Sequence, residues 1–119
     1  MSDLLQINTD AHVADIALNR PRKHNALSLE LFEALAGVGE RLAADKSIRA
    51  IVLHGNGDNF CAGIDTSIFD PNFPRKFADS MKPQPGSHAN LFQRAACVWR
   101  EIPVPVICAI KGVAFGGGF

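Results

Sequence analysis

Apolar residues change their spacing along the chain, and the spacing predicts alternating strands and helices. Residues 4–8 and 12–18 mix apolar with small or polar positions, as half-buried strands do, and residues 9–11 between them form a turn. Apolar side chains then recur at helical intervals, which predicts a helix from the N-cap residue Ser28 to about Asp45. The first part of the chain is therefore expected to be a hairpin followed by a helix.

The second part of the chain predicts two further strands and a helix. Strands are predicted over residues 48–53 and 106–110, and both are expected to be buried because residues 50–53 and 106–110 are apolar without alternation. Residues 88–101 have helical periodicity. The segment 66–87 contains four prolines, and its phenylalanines at 69, 73 and 77 indicate a partly helical, apolar-faced loop. We favour a surface-packed insertion over a mobile lid for this segment.

A weak repeat links the two predicted buried strands. Each strand is followed by a glycine turn, a second short apolar piece and another glycine, and these closing glycines, Gly63 and Gly118, lie 55 residues apart. Such a period predicts stacked strand–strand–helix units. Gly116-Gly117-Gly118 should open a helix that the remaining residue cannot form. We therefore expect residues 1–119 to be the N-terminal part of a single domain in a longer protein.

The glycine-rich segments 60–65 and 116–118 are the candidate chemistry of this repeat. Small residues let a ligand approach the main chain closely, and Asp65 is placed to cap a following helix. One N–H group from each segment could converge on a single oxygen, forming an oxyanion hole suited to a thioester carbonyl that becomes an enolate. Each segment alone is equally explained as a tight turn, but their equivalent places in the repeat favour a binding site.

Composition, charge and cysteine count exclude several classes of protein. The chain has 119 residues, 47% hydrophobic and 20% charged, with no net charge, so a disordered tail and a disulfide miniprotein are excluded. The longest apolar stretch, residues 113–119, is much shorter than the roughly 20 residues that a membrane span needs. Nucleic-acid and anionic-membrane binders usually carry a basic excess, which is missing here. Three cysteines without metal-ligand spacing predict a reducing, cytoplasmic compartment and no metal site. His24 and His54 are expected to be polar loop and strand ends, and Cys61 a packed thiol.

Several motifs together resemble the crotonase superfamily, which is the enoyl-CoA hydratase/isomerase family. They are Asn19-Arg20-Pro21, Asn25-Ala26-Leu27-Ser28, the Phe-x-Ala-Gly-x-Asp segment 60–65, residues 105–112 and the triple glycine 116–118. The resemblance implies an α/β fold, a spiral of repeated ββα units that is truncated here. It also implies an acyl-CoA thioester as substrate, no cofactor besides that coenzyme A, and a homotrimer or hexamer.

The resemblance further implies which residues form the site. Ile64 and Gly117 would supply the two main-chain N–H groups of the oxyanion hole. Other residues would bind substrate: Arg22, Ala26, Ala62, Asp65, Thr66 and Ser67. In this assignment the alanines lie near the adenine, residues 64–67 line the thioester and pantetheine path, and Arg22 meets the coenzyme A phosphates. The sequence by itself favours a solvated loop charge for Arg22.

The same resemblance leads us to expect an enoyl-CoA hydratase. Hydratases of this family use two glutamates, the first immediately after the Gly-Gly-Gly-x unit, so both would lie beyond Phe119. The isolated chain is therefore expected to be inactive. The alternatives are an enoyl-CoA or dienoyl-CoA isomerase of the same family, or a non-catalytic acyl-CoA-binding relative.

Overall fold

The computed structural model describes residues 3–72 and 74–119, which form a four-stranded sheet with helices packed on it. The strands are β1 (Leu5–Asp10), β2 (Val13–Leu18), β3 (Ala50–Gly55) and β4 (Val106–Cys108). The α-helices are α1 (Leu29–Ala44), α2 (Pro74–Ser80) and α3 (Leu91–Glu101). Three short 3-10 helices span Pro21–Lys23, Thr66–Phe69 and Gly116–Gly118.

The predicted hairpin is present, but its turn lies later than the sequence suggested. β1 pairs antiparallel with β2 from Leu5 opposite Leu18 to Asp10 opposite Val13. The connecting residues Ala11 and His12 both have positive φ, 47° and 69°. Two such residues in succession match the right-handed twist of the flanking strands, so the tight loop begins after Asp10.

The remaining strands extend the sheet in parallel, in the order β1-β2-β3-β4. Because side chains alternate along a strand, one face of the sheet presents Ala14, Ile16 and Ile51, which are fully buried. Val38 and Leu42 of α1 belong to the same apolar cluster. The sheet and α1 thus form the two layers of one core, with the strand ends left to carry loops.

Helix boundaries follow local capping. The Ser28 side chain accepts a hydrogen bond from the Leu31 N–H at 3.2 Å, which confirms the predicted start of α1. The expected start of α3 at residue 88 is wrong by three residues. Asn90 and Gln93 form a capping box there, each side chain accepting from the other residue's N–H, so the helix begins at Leu91.

Two other expectations change. The strand predicted over 106–110 ends at Cys108, and it is not buried: Ile107 is 57% exposed, since no described element covers its outer face. In the segment 66–87, Phe77 lies 6.0 Å from Phe69 and 5.9 Å from Phe92 between ring centroids. These contacts support the surface-packed insertion, while Phe73 lies outside the described residues.

Candidate active site

Two isolated parallel bridges bring the glycine-rich segments together. The Leu27 N–H donates to the Gly63 carbonyl at 2.8 Å, and the Asp65 N–H donates to the Leu27 carbonyl at 2.9 Å. Because Leu27 bonds to Gly63 and to Asp65, the residue between them, Ile64, directs its N–H away from Leu27. Among the described residues the Ile64 N–H has no hydrogen-bond acceptor. Ile64 as a residue is also exposed.

The second bridge places the triple glycine beside the first segment. The Cys61 N–H donates to the Val113 carbonyl at 3.2 Å, and the Phe115 N–H donates to the Cys61 carbonyl at 3.1 Å. A Cβ atom at Gly117 would lie 3.4 Å from Cγ1 of Ile64. The Gly117 N–H also lacks an acceptor in the described part of the chain. The structure therefore brings the two residues expected to donate main-chain N–H groups to adjacent positions.

Close main-chain approach explains two of the glycines. Gly63 has φ of +100°, and a Cβ there would lie 2.9 Å from the Phe115 carbonyl oxygen. A Cβ at Gly118 would lie 2.6 Å from the Cys61 carbonyl oxygen. Both glycines thus allow the two segments to pack backbone against backbone, which no larger residue permits.

Asp65 caps the 3-10 helix Thr66–Phe69, as the sequence predicted for this residue. One carboxylate oxygen accepts the Ser67 N–H at 2.9 Å, and the other accepts Nη1 of Arg20 at 3.0 Å. The Ser67 amide, with a smaller contribution from Arg20, holds the pKa of Asp65 below its ordinary value. Thr66 and Ser67 are exposed at the start of this short helix.

Sequence reasoning missed the contacts of Arg20. Its guanidinium donates to the Ala26 carbonyl as well as to Asp65, so it joins the loop before α1 to the loop after β3. The motif Asn-Arg-Pro was recognised as part of the family resemblance. A contact between residues 45 positions apart, however, has no local sequence signal.

Asn25 is a second residue that the sequence did not single out. It is 0% exposed and has φ of +56°, which asparagine tolerates better than most residues. Its side chain accepts the Arg20 N–H at 2.8 Å and donates to the carbonyls of Asn56 and Asn59, both at 2.9 Å. This buried amide therefore fixes the loop that carries Arg20 against the turn after β3.

The residues expected near coenzyme A lie on the outside of these loops. Arg22 is exposed in the 3-10 helix Pro21–Lys23 and makes no hydrogen bond or ion pair with any described residue. Ala62 is exposed, and its N–H donates to the His24 carbonyl at 2.9 Å. Ala26 is half-buried and accepts from Arg20. Arg22 therefore belongs to the same loop as Ala26 but is not joined to the Arg20–Asp65 contact.

An apolar pocket of about 440 Å³ opens beside Ile64 and Gly117. Its walls include Leu27, Phe60 and Trp99. Two cysteines also line it: burial raises the pKa of the Cys61 thiol, and partial desolvation raises the pKa of the thiol of Cys108, which is an exposed residue. Cys61 is buried and donates to the Asn25 carbonyl, which confirms the expected packed thiol and gives no sign of a nucleophile.

The other polar groups do not assemble a second site. His54 pairs with Asp15 of β2 at 2.7 Å, and His24 contacts Asn59. Over residues 3–72 and 74–119, no three histidine, cysteine or acidic side chains are grouped closely enough to hold a metal ion. In that same part of the chain no helix is long and apolar enough to cross a bilayer.

Comparison with known proteins decides the family. The model of the family described as enoyl-CoA hydratase/isomerase matches residues 8–119. The chain belongs to the enoyl-CoA hydratase/isomerase family. It is 36% identical over 106 residues to a probable enoyl-CoA hydratase of Mycobacterium leprae, covering 89% of this chain and 36% of that protein. It is 32% identical over 120 residues to the 1,2-epoxyphenylacetyl-CoA isomerase of Escherichia coli, covering 99% of this chain and 44% of that enzyme.

The family's solved structures share the fold. The crystal structure of a probable enoyl-CoA hydratase from Mycobacterium smegmatis superimposes with a TM-score of 0.78 at 28% identity. The match covers 98% of this chain and 44% of that one. The chain thus spans less than half the length of the relatives it matches, and the expected crotonase-like α/β fold is confirmed over that span.

Proposed function

We propose that the protein is an acyl-CoA-processing enzyme, an enoyl-CoA hydratase, that stabilises a thioester enolate between the N–H groups of Ile64 and Gly117. The observation that carries the proposal is the pairing of two adjacent main-chain donors, one from each repeat, that have no acceptor among the described residues. Family membership supplies the substrate class, and relatives named as hydratases support the reaction.

The chemistry explains why two main-chain donors suit this reaction. When water adds to C3 of a 2-enoyl thioester, the electron pair of the double bond moves toward the carbonyl, and its oxygen becomes negative. Protonation at C2 then restores the thioester. Donors already fixed by the surrounding bridges stabilise the negative oxygen without reorganising, which lowers the barrier more than it strengthens substrate binding.

The residues around the oxyanion hole would contact the acyl group, the pantetheine, the adenine and the phosphates of the substrate. The apolar pocket beside Ile64 would receive the acyl group. Thr66 and Ser67 would lie along the pantetheine, Ala26 and Ala62 near the adenine, and the exposed Arg22 at the phosphates. The proposal includes no separate cofactor. It also includes a homotrimer or hexamer and a cytoplasmic location.

An isomerase is the second candidate, since an Escherichia coli relative is named an isomerase and dienoyl-CoA isomerases also match. Moving a double bond also forms a thioester enolate, so the same oxyanion hole would serve. The two functions are separated by substrate. A hydratase removes the conjugated absorbance of a 2-enoyl-CoA, while an isomerase creates that absorbance from a 3-enoyl-CoA.

The test compares two substitutions at Gly117 in the full-length protein. Gly117→Pro removes the N–H donor and should lower kcat by about 10²- to 10³-fold, as loss of an oxyanion-hole donor does. Gly117→Ala keeps the donor. Its Cβ would lie 3.1 Å from Cδ1 of Leu27, a close contact that the end of that side chain can relieve by a small shift, so this variant should retain most of the turnover. Circular dichroism and melting temperature establish that both variants fold. Full turnover by a folded proline variant would show that Gly117 is not the donor.

A further inference from the structure

We propose that Arg20 is a positioning residue for the Ile64 amide and that it also neutralises the carboxylate next to that amide. The proposal rests on the function proposed above. Its starting point is the guanidinium that contacts both Asp65, the residue directly after Ile64, and the carbonyl of Ala26, the residue directly before Leu27. Arg20 therefore touches both sides of the bridge that orients the Ile64 N–H.

The main chain around Arg20 is itself fixed. The Arg20 N–H donates to the buried Asn25 side chain at 2.8 Å, and the Arg20 carbonyl accepts the Asn25 N–H at 2.9 Å. Asn25 in turn holds the turn after β3 through two carbonyls. The guanidinium thus extends from a backbone that hydrogen bonds hold in place, so Arg20 can fix the position of the groups it contacts.

The bridge alone leaves the Ile64 amide with limited support. Leu27 holds Gly63 and Asp65 by one hydrogen bond each, and Ile64 between them is exposed. The Asp65 carboxylate adds two contacts that hold residues 63–65 in one orientation. One oxygen accepts the Ser67 N–H, and the other accepts Nη1 of Arg20. Loss of the Arg20 contact would free one side of the segment, and a small misplacement of a catalytic donor costs a large factor in rate.

Charge gives Arg20 its second role. Asp65 is ionised at neutral pH, and its side chain is only 14% exposed, so water screens it weakly. An unpaired carboxylate beside the Ile64 amide would oppose a negative oxygen bound to that amide. The Arg20 side chain, 18% exposed, places a permanent positive charge 3.0 Å from the carboxylate and cancels this opposition.

The experiment uses the full-length protein and two probes. The first is butanoyl-CoA labelled with ¹³C at the carbonyl, which cannot react by hydration or double-bond shift. Hydrogen bonds to the carbonyl lower its stretching frequency, so infrared difference spectra report the oxyanion hole directly. The second probe is turnover of crotonyl-CoA, a short 2-enoyl thioester, with kcat and KM measured separately.

Arg20→Met should lower kcat by about 10- to 100-fold with little change in KM, and should return the bound carbonyl frequency toward its value in water. Arg20→Lys keeps the charge and one donor, so it should recover part of both effects. The matched control is Arg94→Met. Arg94 is also 18% exposed and pairs with Glu40 and Glu101, far along the chain from the bridge. The Arg94→Met variant should have a lower melting temperature, with kcat and the carbonyl stretching frequency unchanged.

Asp65→Asn separates charge from geometry. In the Arg20→Met background this substitution removes the unpaired carboxylate while its amide oxygen still accepts the Ser67 N–H. The double variant should therefore regain part of the kcat that Arg20→Met loses. Failure to regain any kcat would overturn the neutralising role.

The outcomes also distinguish this inference from the function on which it rests. Absence of butanoyl-CoA binding by the unaltered protein would overturn the proposed function, and this inference with it. Binding with an unaltered carbonyl band in folded Arg20→Met would overturn the positioning role alone. An equal loss in Arg94→Met would show that Arg20 contributes only through general stability, which also overturns the inference.

Discussion

Asp65 shows how much one side chain's environment depends on contacts that are distant in sequence. Its neighbour Ser67 is two residues away, which makes a helix cap predictable from the sequence. Its other partner, Arg20, comes from a different loop. The two carboxylate oxygens therefore have separate roles: Asp65→Asn keeps the cap and loses the contact with Arg20, whereas Asp65→Ala loses both.

The lowered pKa of Asp65 makes a prediction about acid stability. A carboxyl group whose folded pKa is below its unfolded value, about 3.9, stabilises the protein above that pH. This stabilisation is lost as the pH falls through the lowered folded value. Asp65→Asn keeps the cap, loses the Arg20 contact and cannot titrate. The difference in unfolding free energy between the unaltered protein and this variant should therefore shrink as the pH falls from about 6 to about 3.

The measurement is urea unfolding across that pH range, with Asp65→Ala beside it. The alanine variant loses the cap too, which adds about 0.5–2 kcal/mol at neutral pH. Asp70→Asn is the control, because Asp70 caps only its own exposed turn through Asn72. A difference between the unaltered protein and Asp65→Asn that stays constant with pH would contradict the lowered pKa of Asp65.

At the scale of elements, the contact between α1 and α3 depends on Gly39. A Cβ atom there would lie 2.9 Å from Cγ2 of Val98 and closer still to its Cγ1, and Val98 is fully buried. Gly37 is in the same helix, yet a Cβ there has no neighbour within 4 Å. The two glycines are therefore a matched pair, one required by packing and one not.

We predict opposite effects of alanine at these two positions. Gly37→Ala should stabilise the protein by about 0.5–1 kcal/mol, because glycine lowers helix stability by this amount. Gly39→Ala gains the same propensity but overpacks the interface with Val98, which costs about 1–3 kcal/mol, so it should destabilise. Chemical denaturation of both variants decides the signs. In the Gly39→Ala background, Val98→Ala should cost less than it does alone, and equal costs would contradict the steric assignment.

The elements also show where sequence reasoning worked. Local signals predicted α1 well, since Ser28 and a regular apolar face act within one helix. The repeat was visible because β3 and β4 are followed by similar residues, and an isolated parallel bridge follows each strand, at Ile64 and at Ala114. The sheet order, the burial of Asn25 and the partners of Arg20 depend on long-range pairing. No periodicity in the sequence encodes that pairing. The two glycine-rich segments of the candidate site were found from the repeat, but the individual site residues could be assigned only by family resemblance.

At the scale of the whole molecule, the main error concerns β4. Its apolar sequence indicated a buried strand, but burial depends on a covering element, and none of the described elements covers its outer face. Ile110 is 54% exposed and Phe115 is 62% exposed on the segment that continues from this strand. The apolar sequence of β4 therefore indicates that the strand needs a covering element, and the described residues contain none that covers its outer face.

This exposed apolar surface leads to the last prediction. A polypeptide of residues 1–119 produced on its own should be weakly stable and should associate, because burial of Ile107, Ile110 and Phe115 against another copy removes apolar surface from water. Urea denaturation should give a broad transition at low urea, and light scattering should show mass rising with concentration.

Ile107→Thr keeps a β-branched side chain and should increase the monomer fraction. Val13→Thr, on the less exposed Val13 of β2, is the matched control and should change it little. A concentration-independent monomer that unfolds in one sharp transition would contradict the prediction.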